Sequence, residues 1–441
     1  MDTGGNVIVN RRRFISAMTA AMPSFGFAKQ AETLSVTTAS YAGMEDSASW
    51  RKEAKQRIET LRKGRFNVKV TDAVGIPLTN QTVTAKLYRH NFGFGAAPRL
   101  RRLYGSPYPQ EIRQRHLDYC DLLFHKLTPE NAFKWKHHDN NSQYIKPFMT
   151  WCAERSIPVR GHCLIWPGFK RAAVEHAKYS GSEVQLRKLL NDHIHKMVSQ
   201  YGDPLTEWDV LNEPFSSHDY MDILGPEVVV DWFQQVQQIR PEVKRYINDY
   251  GILTKNSVRH RRFYFNYIAG LLKQGAAIQG IGFQAHIPKG FAPTAPQELL
   301  SIMNDFAALN TELQVTEFDF ETPNLEFQAR YTEDFMTAVF SHPQMTGLLT
   351  WTPFEYAKNS VPKPDAALVD RNLRLKPNGQ VWHDLVNKRW STEVELLTDS
   401  RGEINFSGYK GLYHLQLSGA NNATFAVPLE SDNVNAQINL T

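Results

Sequence analysis

Along the middle of the chain, short apolar runs recur at residues 92–95, 123–127, 159–164, 208–211, 244–247, 278–283, 313–316 and 348–350. They are spaced about 32 to 36 residues apart, with one wider gap, and a strand, a turn and a returning helix fill that distance. The stretches between them carry apolar residues at helical intervals, as in Val228, Trp232, Phe233 and Val236, or Phe335, Ala338 and Val339. Eight strands alternating with helices predict a closed parallel barrel of the α/β class, a (β/α)8 TIM barrel. The wide gap lies before Trp208, and its residues 172–180 predict a loop large enough to wall a cleft.

The flanks read differently. Residues 65–71 and 81–88 alternate, with Val83, Ala85 and Leu87 on one side, about a turn at 72–77. That predicts a β-hairpin, too small to be stable alone. Residues 393–397, 404–406, 411–417, 424–427 and 436–440 are further strand candidates split by Gly, Asn and Asp. The two ends are therefore expected to meet in one small β-sandwich on the barrel. The resulting division is 32–62 linker and helix, 63–90 N-terminal β segment, 91–390 barrel and 391–441 C-terminal β segment packing with 63–90. Before these, Asn10-Arg11-Arg12-Arg13-Phe14-Ile15-Ser16 precedes small and apolar residues through Ala28. Residues 1–31 read as a twin-arginine export signal with Gly26-Phe27-Ala28 as the cleavage site, against the alternative of a basic tail. The expected location is periplasmic or secreted, with no membrane span, because no later run holds the roughly 18 apolar residues a bilayer requires.

Composition changes the picture only by exclusion. At 441 residues the chain can bury a full core. Its net charge of +5 is small for that length, and no later Lys/Arg run is interleaved with aromatics, which excludes nucleic acid as a partner. Cys120, Cys152 and Cys163 lack paired spacing and leave room for at most one bridge. His193-Ile194-His195 has strand spacing inside a helical stretch, so neither a metal nor another cofactor is expected. Nine Trp and 17 Tyr supply aromatic faces of the kind that stack on sugar rings.

Two strand ends carry candidate chemistry. Trp208-Asp209-Val210-Leu211-Asn212-Glu213-Pro214 runs alternation into a glutamate, and the proline stops the ladder there. Leu313-Gln314-Val315-Thr316-Glu317-Phe318-Asp319 repeats the pattern about three strand–helix units later. In a barrel both carboxylates would face one cavity, as glycoside hydrolysis requires of its acid and its nucleophile or base. Other strand ends bring more polar groups: Glu130, Asn131 and Lys134; Arg160, His162 and Trp166; Asn248 and Asp249; Gln284 and His286; Trp351 and Glu355. Each taken singly has a structural explanation, and their convergence on one face is what favours a site.

The segments PENAFKW, RGHCLIW, WDVLNEP, YINDY, GIGFQAHI and VTEFD, in this order and spacing along the chain, resemble glycoside hydrolase family 10, the retaining endo-β-1,4-xylanases. The resemblance covers roughly residues 92–390, and the flanking strands look like those of modular members. It implies Glu213 as general acid/base and Glu317 as nucleophile, with His286 bonding Glu317, Asp319 orienting His286, and Asn212 on the 2-hydroxyl of the cleaved sugar. It further implies Glu130, Asn131, Lys134, His162 and Gln284 as hydroxyl-binding residues and Trp166 and Trp351 as stacking platforms. The chain departs from the family at Pro167, where a histidine is usual, and over Trp351-Thr352-Pro353-Phe354-Glu355-Tyr356, where a second tryptophan has no match. The expected partner is a polysaccharide, xylan or a related β-glycan or exopolysaccharide, bound by a monomer; a catalytically silent carbohydrate-binding protein is the alternative of another class.

Overall fold

The computed structural model describes residues 40–105, 108–171, 182–253, 258–356, 363–418 and 423–440. The export-signal reading of 1–31 and the cleft-walling loop at 172–180 both lie wholly outside the described residues.

Eight parallel strands form the centre: Gly93–Ala96, Lys126–Leu127, Val159–Gly161, Leu205–Asn212, Lys244–Asp249, Gly280–Phe283, Glu312–Phe320 and Met345–Thr350. Each pairs with the next, and the last returns to the first through Gly347↔Gly93 and Leu348↔Phe94, which closes the ring. Parallel neighbours need a crossover, and helices such as Gln110–Leu123, Val228–Ile239 and Leu325–Ser341 supply it. Val228–Ile239 shows why they dock: its Val228, Trp232, Phe233 and Val236 are buried on one stripe. The second strand is shorter than the expected 123–127. Leu123 belongs to the preceding helix, whose inner face it completes, and only Lys126 and Leu127 pair.

The barrel interior is partly ionic. Arg160, 1% exposed, donates to Glu207 Oε1 (3.0 Å), to Gln314 Oε1 (3.0 Å) and to both oxygens of Asp209, and its guanidinium lies 4.5 Å from the Tyr246 ring centroid. Lys126 Nζ meets the other Glu207 oxygen at 3.0 Å. Arg160 was expected among the strand-end groups at the mouth; it instead points inward, because it alternates with neighbours that face the helices.

The flanking strands do not form the expected hairpin. Lys63–Thr71 sits in a three-stranded sheet between Glu403–Tyr409 and Asn433–Asn439, whereas Thr82–His90 sits in a four-stranded sheet between Glu393–Leu397 and Gly411–Ser418. Thr424–Leu429 completes the second sheet. Paired side by side, Val68 and Val70 would share a face with Val83 and Ala85 and leave it bare; in separate layers each sheet covers the other's apolar side, and all four side chains are fully buried. The fold is thus a (β/α)8 barrel with a sandwich built from both chain ends. The helix Ser49–Arg62 ties this region to the barrel: Arg51 pairs with Asp334, and Arg62 donates to the carbonyls of Phe340, His342 and Met345. The three cysteines are free and buried. Among the described residues no helix is long and apolar enough to cross a membrane.

Gly280 lets the sixth strand pass Tyr246, since a Cβ there would stand 2.1 Å from the ring of that buried side chain. Gly280→Ala is expected to destabilise the protein by about 1–3 kcal/mol or more through overpacking. Thermal melts of the variant beside Gly202→Ala, where nothing lies within 4 Å of the added atom and φ is not positive, check it; equal losses at both would show that the Tyr246 ring is not responsible.

Candidate active site

The fourth strand ends at Asn212, and Pro214 prevents its ladder from continuing. Glu213 adopts φ +54°, a left-handed conformation costing about 1–2 kcal/mol for an L side chain. The turn is held by Glu213 N donating to Asn248 O (2.8 Å) and Ser217 N donating to Glu213 O (3.0 Å). The seventh strand runs on to Phe320, past the strand end expected at Glu317. Its pairing with the eighth strand is irregular between Val315 and Phe318, and Asp319 and Phe320 then pair with His286 and Ile287. Glu317 therefore lies at the break in the ladder.

Asn248, from the end of the fifth strand, joins the two regions. Its Oδ1 accepts from Thr316 Oγ1 (2.7 Å), which turns its Nδ2 toward Asn212 Oδ1 (3.0 Å) and Glu317 Oε1 (2.9 Å). Asn212 thereby spends its oxygen on Asn248, and its buried Nδ2 has no partner among the described residues. An amide has two donors to satisfy, so this one is available to a ligand hydroxyl. The other oxygen of Glu317 lies 3.1 Å from His286 Nε2, and His286 Nδ1 lies 2.9 Å from Asp319 Oδ2. Lys363 Nζ contacts both Asp319 oxygens, at 3.0 and 3.1 Å. On the barrel side, His162 Nδ1 donates to Asp209 Oδ2 (2.8 Å), and its Nε2 is 4.0 Å from Glu317 Oε1.

These surroundings drive the two glutamates apart. Burial alone would raise the Glu317 pKa, but the His286 hydrogen bond and the charges of His162, His286 and Lys134 outweigh it and hold the pKa at about 2. His286 is raised to about 9: burial opposes its charge, and the charge and hydrogen bond of Asp319, with the bond to Glu317, prevail. Glu213 moves upward, first through burial and then through the negative charges of Glu317 and Asp249, while a hydrogen bond from Gln284 Nε2 to its Oε1 (3.0 Å) partly offsets the rise. One carboxyl thus favours its proton and its neighbour repels one.

A cavity of about 200 Å³ opens beside this pair, lined by Arg99, Glu130, His286, Trp351, Tyr356 and Lys363 among others. Glu130 is held on both oxygens by Arg99; Asn131 Nδ2 donates to Glu130 Oε1 (3.0 Å), and Lys134 Nζ to Asn131 Oδ1 (3.1 Å). Lys134 stands 5.4 Å from the Trp166 ring centroid and 5.0 Å from that of Trp351. Trp351 packs edge-on against His162. All twelve candidate side chains accordingly belong to one contiguous set. Gln284 reaches Glu213 itself, and the Arg171 guanidinium lies 4.2 Å from the Trp166 ring centroid, occupying surface that a sugar was expected to share. Sequence reasoning gave no role to Asn248, although it was noted at a strand end, and it missed Arg99, Arg171 and Lys363. Examining the end of the first strand as the others were examined would have found Arg99; Lys363, between two prolines, carries no periodic signal.

The sequence profile of glycosyl hydrolase family 10 matches residues 84–383. Among curated relatives, the anti-sigma-I factor RsgI6 of Acetivibrio thermocellus is 27% identical over 84% of this chain and 47% of its own length. Endo-1,4-beta-xylanase 1 of Arabidopsis thaliana is 25% identical over 73% of this chain and 34% of its own. The beta-1,4-xylanase of Dictyoglomus thermophilum is 30% identical over 50% of this chain and 66% of its own. The chain thus spans half or less of the first two. Native xylanase 10B from Thermotoga maritima superposes with a TM-score of 0.59 at 22% identity, covering 68% of this chain and 96% of that one, which is a likeness of fold.

Removing the Gln284 bond is expected to push the Glu213 pKa further upward, since that bond favours the ionised form. An NMR titration of the Glu213 side-chain carbon in Gln284→Leu and in the unsubstituted protein checks the direction; a downward move would contradict the electrostatic account.

Proposed function

The chain belongs to glycosyl hydrolase family 10, and we propose that it hydrolyses internal β-1,4-xylosidic bonds of xylan with retention of configuration, by double displacement. The observation that carries this is the pair of carboxyls with opposed proton affinities, Glu213 raised and Glu317 held at about 2, on residues that both bond Asn248, Glu213 through its backbone N–H and Glu317 through Oε1.

In the first displacement Glu317, ionised, attacks the anomeric carbon while Glu213 gives its proton to the departing glycosidic oxygen. In the second, Glu213, now a carboxylate, takes a proton from water, which attacks the same carbon and releases Glu317. The imidazolium of His286 supports the ionised state of Glu317, and Asp319 supports that imidazolium. Asn212 Nδ2, the donor left over by Asn248, suits the sugar 2-hydroxyl, a contact that strengthens as the oxocarbenium-like state develops. Glu130, Asn131, Lys134, Trp166 and Trp351 would hold the sugars on the non-reducing side. The xylanase names of two relatives and the fold shared with xylanase 10B favour xylan over other β-glycans. A second reading, binding without turnover, draws on the relative that is an anti-sigma factor.

Activity requires Glu317 ionised and Glu213 protonated. The kcat/KM profile should therefore rise as pH passes the Glu317 pKa of about 2 and fall as it passes the raised Glu213 value, leaving an acidic optimum. Glu317→Ala is expected to abolish hydrolysis with the fold intact, and azide to restore release of a product of inverted configuration. Glu213→Ala should slow polymer cleavage far more than cleavage of an activated aryl glycoside, whose leaving group departs unprotonated. Equal losses on the two substrates would reverse or void the assignment. Reducing-sugar release from xylan, arabinoxylan and cellulose separates xylanase from other β-glycanases, and none from any of them would favour binding without turnover.

A further inference from the structure

The contacts behind Glu317 do not stop at Asp319. Lys363, in the segment following the eighth strand, reaches across 44 residues of sequence to place its ammonium 3.0 Å from Asp319 Oδ1 and 3.1 Å from Oδ2. The Asp319 side chain is completely buried, while Lys363 is 23% exposed and forms part of the wall of the cavity beside Trp351. From that wall inward the charges alternate: Lys363 positive, Asp319 negative, His286 positive, Glu317 negative. We propose that Lys363 is a positioning residue that, through Asp319 and His286, keeps Glu317 ionised and aimed. The proposal rests on the reading of Glu317 as nucleophile.

The physical need is plain. A carboxylate without solvent requires counter-charge and hydrogen bonds at both oxygens, or it takes up a proton. His286 engages Asp319 Oδ2, and Lys363 secures Oδ1 as well. With Asp319 ionised, His286 remains an imidazolium, and its Nε2–H has a donor's role toward Glu317. Take away the ammonium, and the remaining row is negative, positive, negative. That excess negative charge raises the proton affinity of every acid in the row, Glu317 included. The other groups around it do not replace Lys363. Asn248 donates to Glu317 Oε1, and the charges of His162 and Lys134 also favour its ionised form, but among the described residues none of the three bonds Asp319, and Glu213 is itself acidic.

The test compares Lys363→Met, Lys363→Gln and Lys363→Arg with the unsubstituted protein on an aryl β-xylobioside, measuring kcat and KM across the acidic pH range, with Glu317→Ala as control and circular dichroism to confirm folding. The two neutral variants are expected to move the acidic limb of the profile upward by about half a unit to one unit. They should lower kcat roughly tenfold or more through loss of aim, with KM little changed. Arginine should return both toward the original values. An acidic limb that stays in place in both neutral variants overturns the proposal whatever the rate does, because a loss of packing alone lowers the rate without moving the limb. Residual full activity in Glu317→Ala would instead remove the nucleophile assignment, a failure distinguishable from that of Lys363.

Discussion

The buried ion network around Arg160 is the constraint on which the site depends. A guanidinium in the middle of a barrel is tolerable only when its hydrogen bonds are met, and here Glu207, Asp209 and Gln314 meet them from the fourth and seventh strands. Removing a charged member, Glu207 or Asp209, would leave buried charge uncompensated, at about 3–5 kcal/mol. The same strands carry Glu213, just beyond the end of the fourth, and Glu317, at the ladder break within the seventh, so fixing the register below also fixes the spacing above. Asp209 makes the link physical: one oxygen faces Arg160, and the other is shared with His162, whose far nitrogen approaches Glu317.

From that base, two chemically identical side chains acquire opposite behaviour through their neighbours. Glu317 meets an amide donor and two histidines, whereas Glu213 meets one amide donor and the negative fields of Glu317 and Asp249. Burial raises both, so burial cannot distinguish them; donors and charges do. The amides are specific about this. Thr316 fixes which end of Asn248 faces Glu317, and Asn248 in turn fixes which end of Asn212 is left for a ligand.

The barrel was legible because strand and helix periods alternate at nearly constant spacing, and because the two glutamates stand where a proline or a ladder break ends regular pairing. The sandwich was legible as strands, but its pairing was not. Alternation specifies which side of Lys63–Thr71 is apolar without specifying whether its cover is the next strand's sheet or a layer above it, and ten intervening residues permit either. Arg160 illustrates the same limit within a strand: its polarity suggested the mouth, and only the register places it inside. Ion-pair partners far apart in sequence, such as Arg99 with Glu130 or Lys363 with Asp319, leave no periodic trace at all.

Those last two pairs bear on how the cavity discriminates. Its wall presents Glu130, already engaged by Arg99, and Lys363, already engaged by the buried Asp319, together with Trp351 and Tyr356. Groups satisfied in this way are held in fixed orientations without side-chain entropy to lose on binding, and a donor or acceptor that is preorganised rejects a sugar whose hydroxyl points elsewhere. Beyond Trp351, Glu355 is paired to Arg371, and Tyr356 lines the cavity. Binding on this side should consequently depend on the pattern of hydroxyls that the sugar presents to these fixed groups.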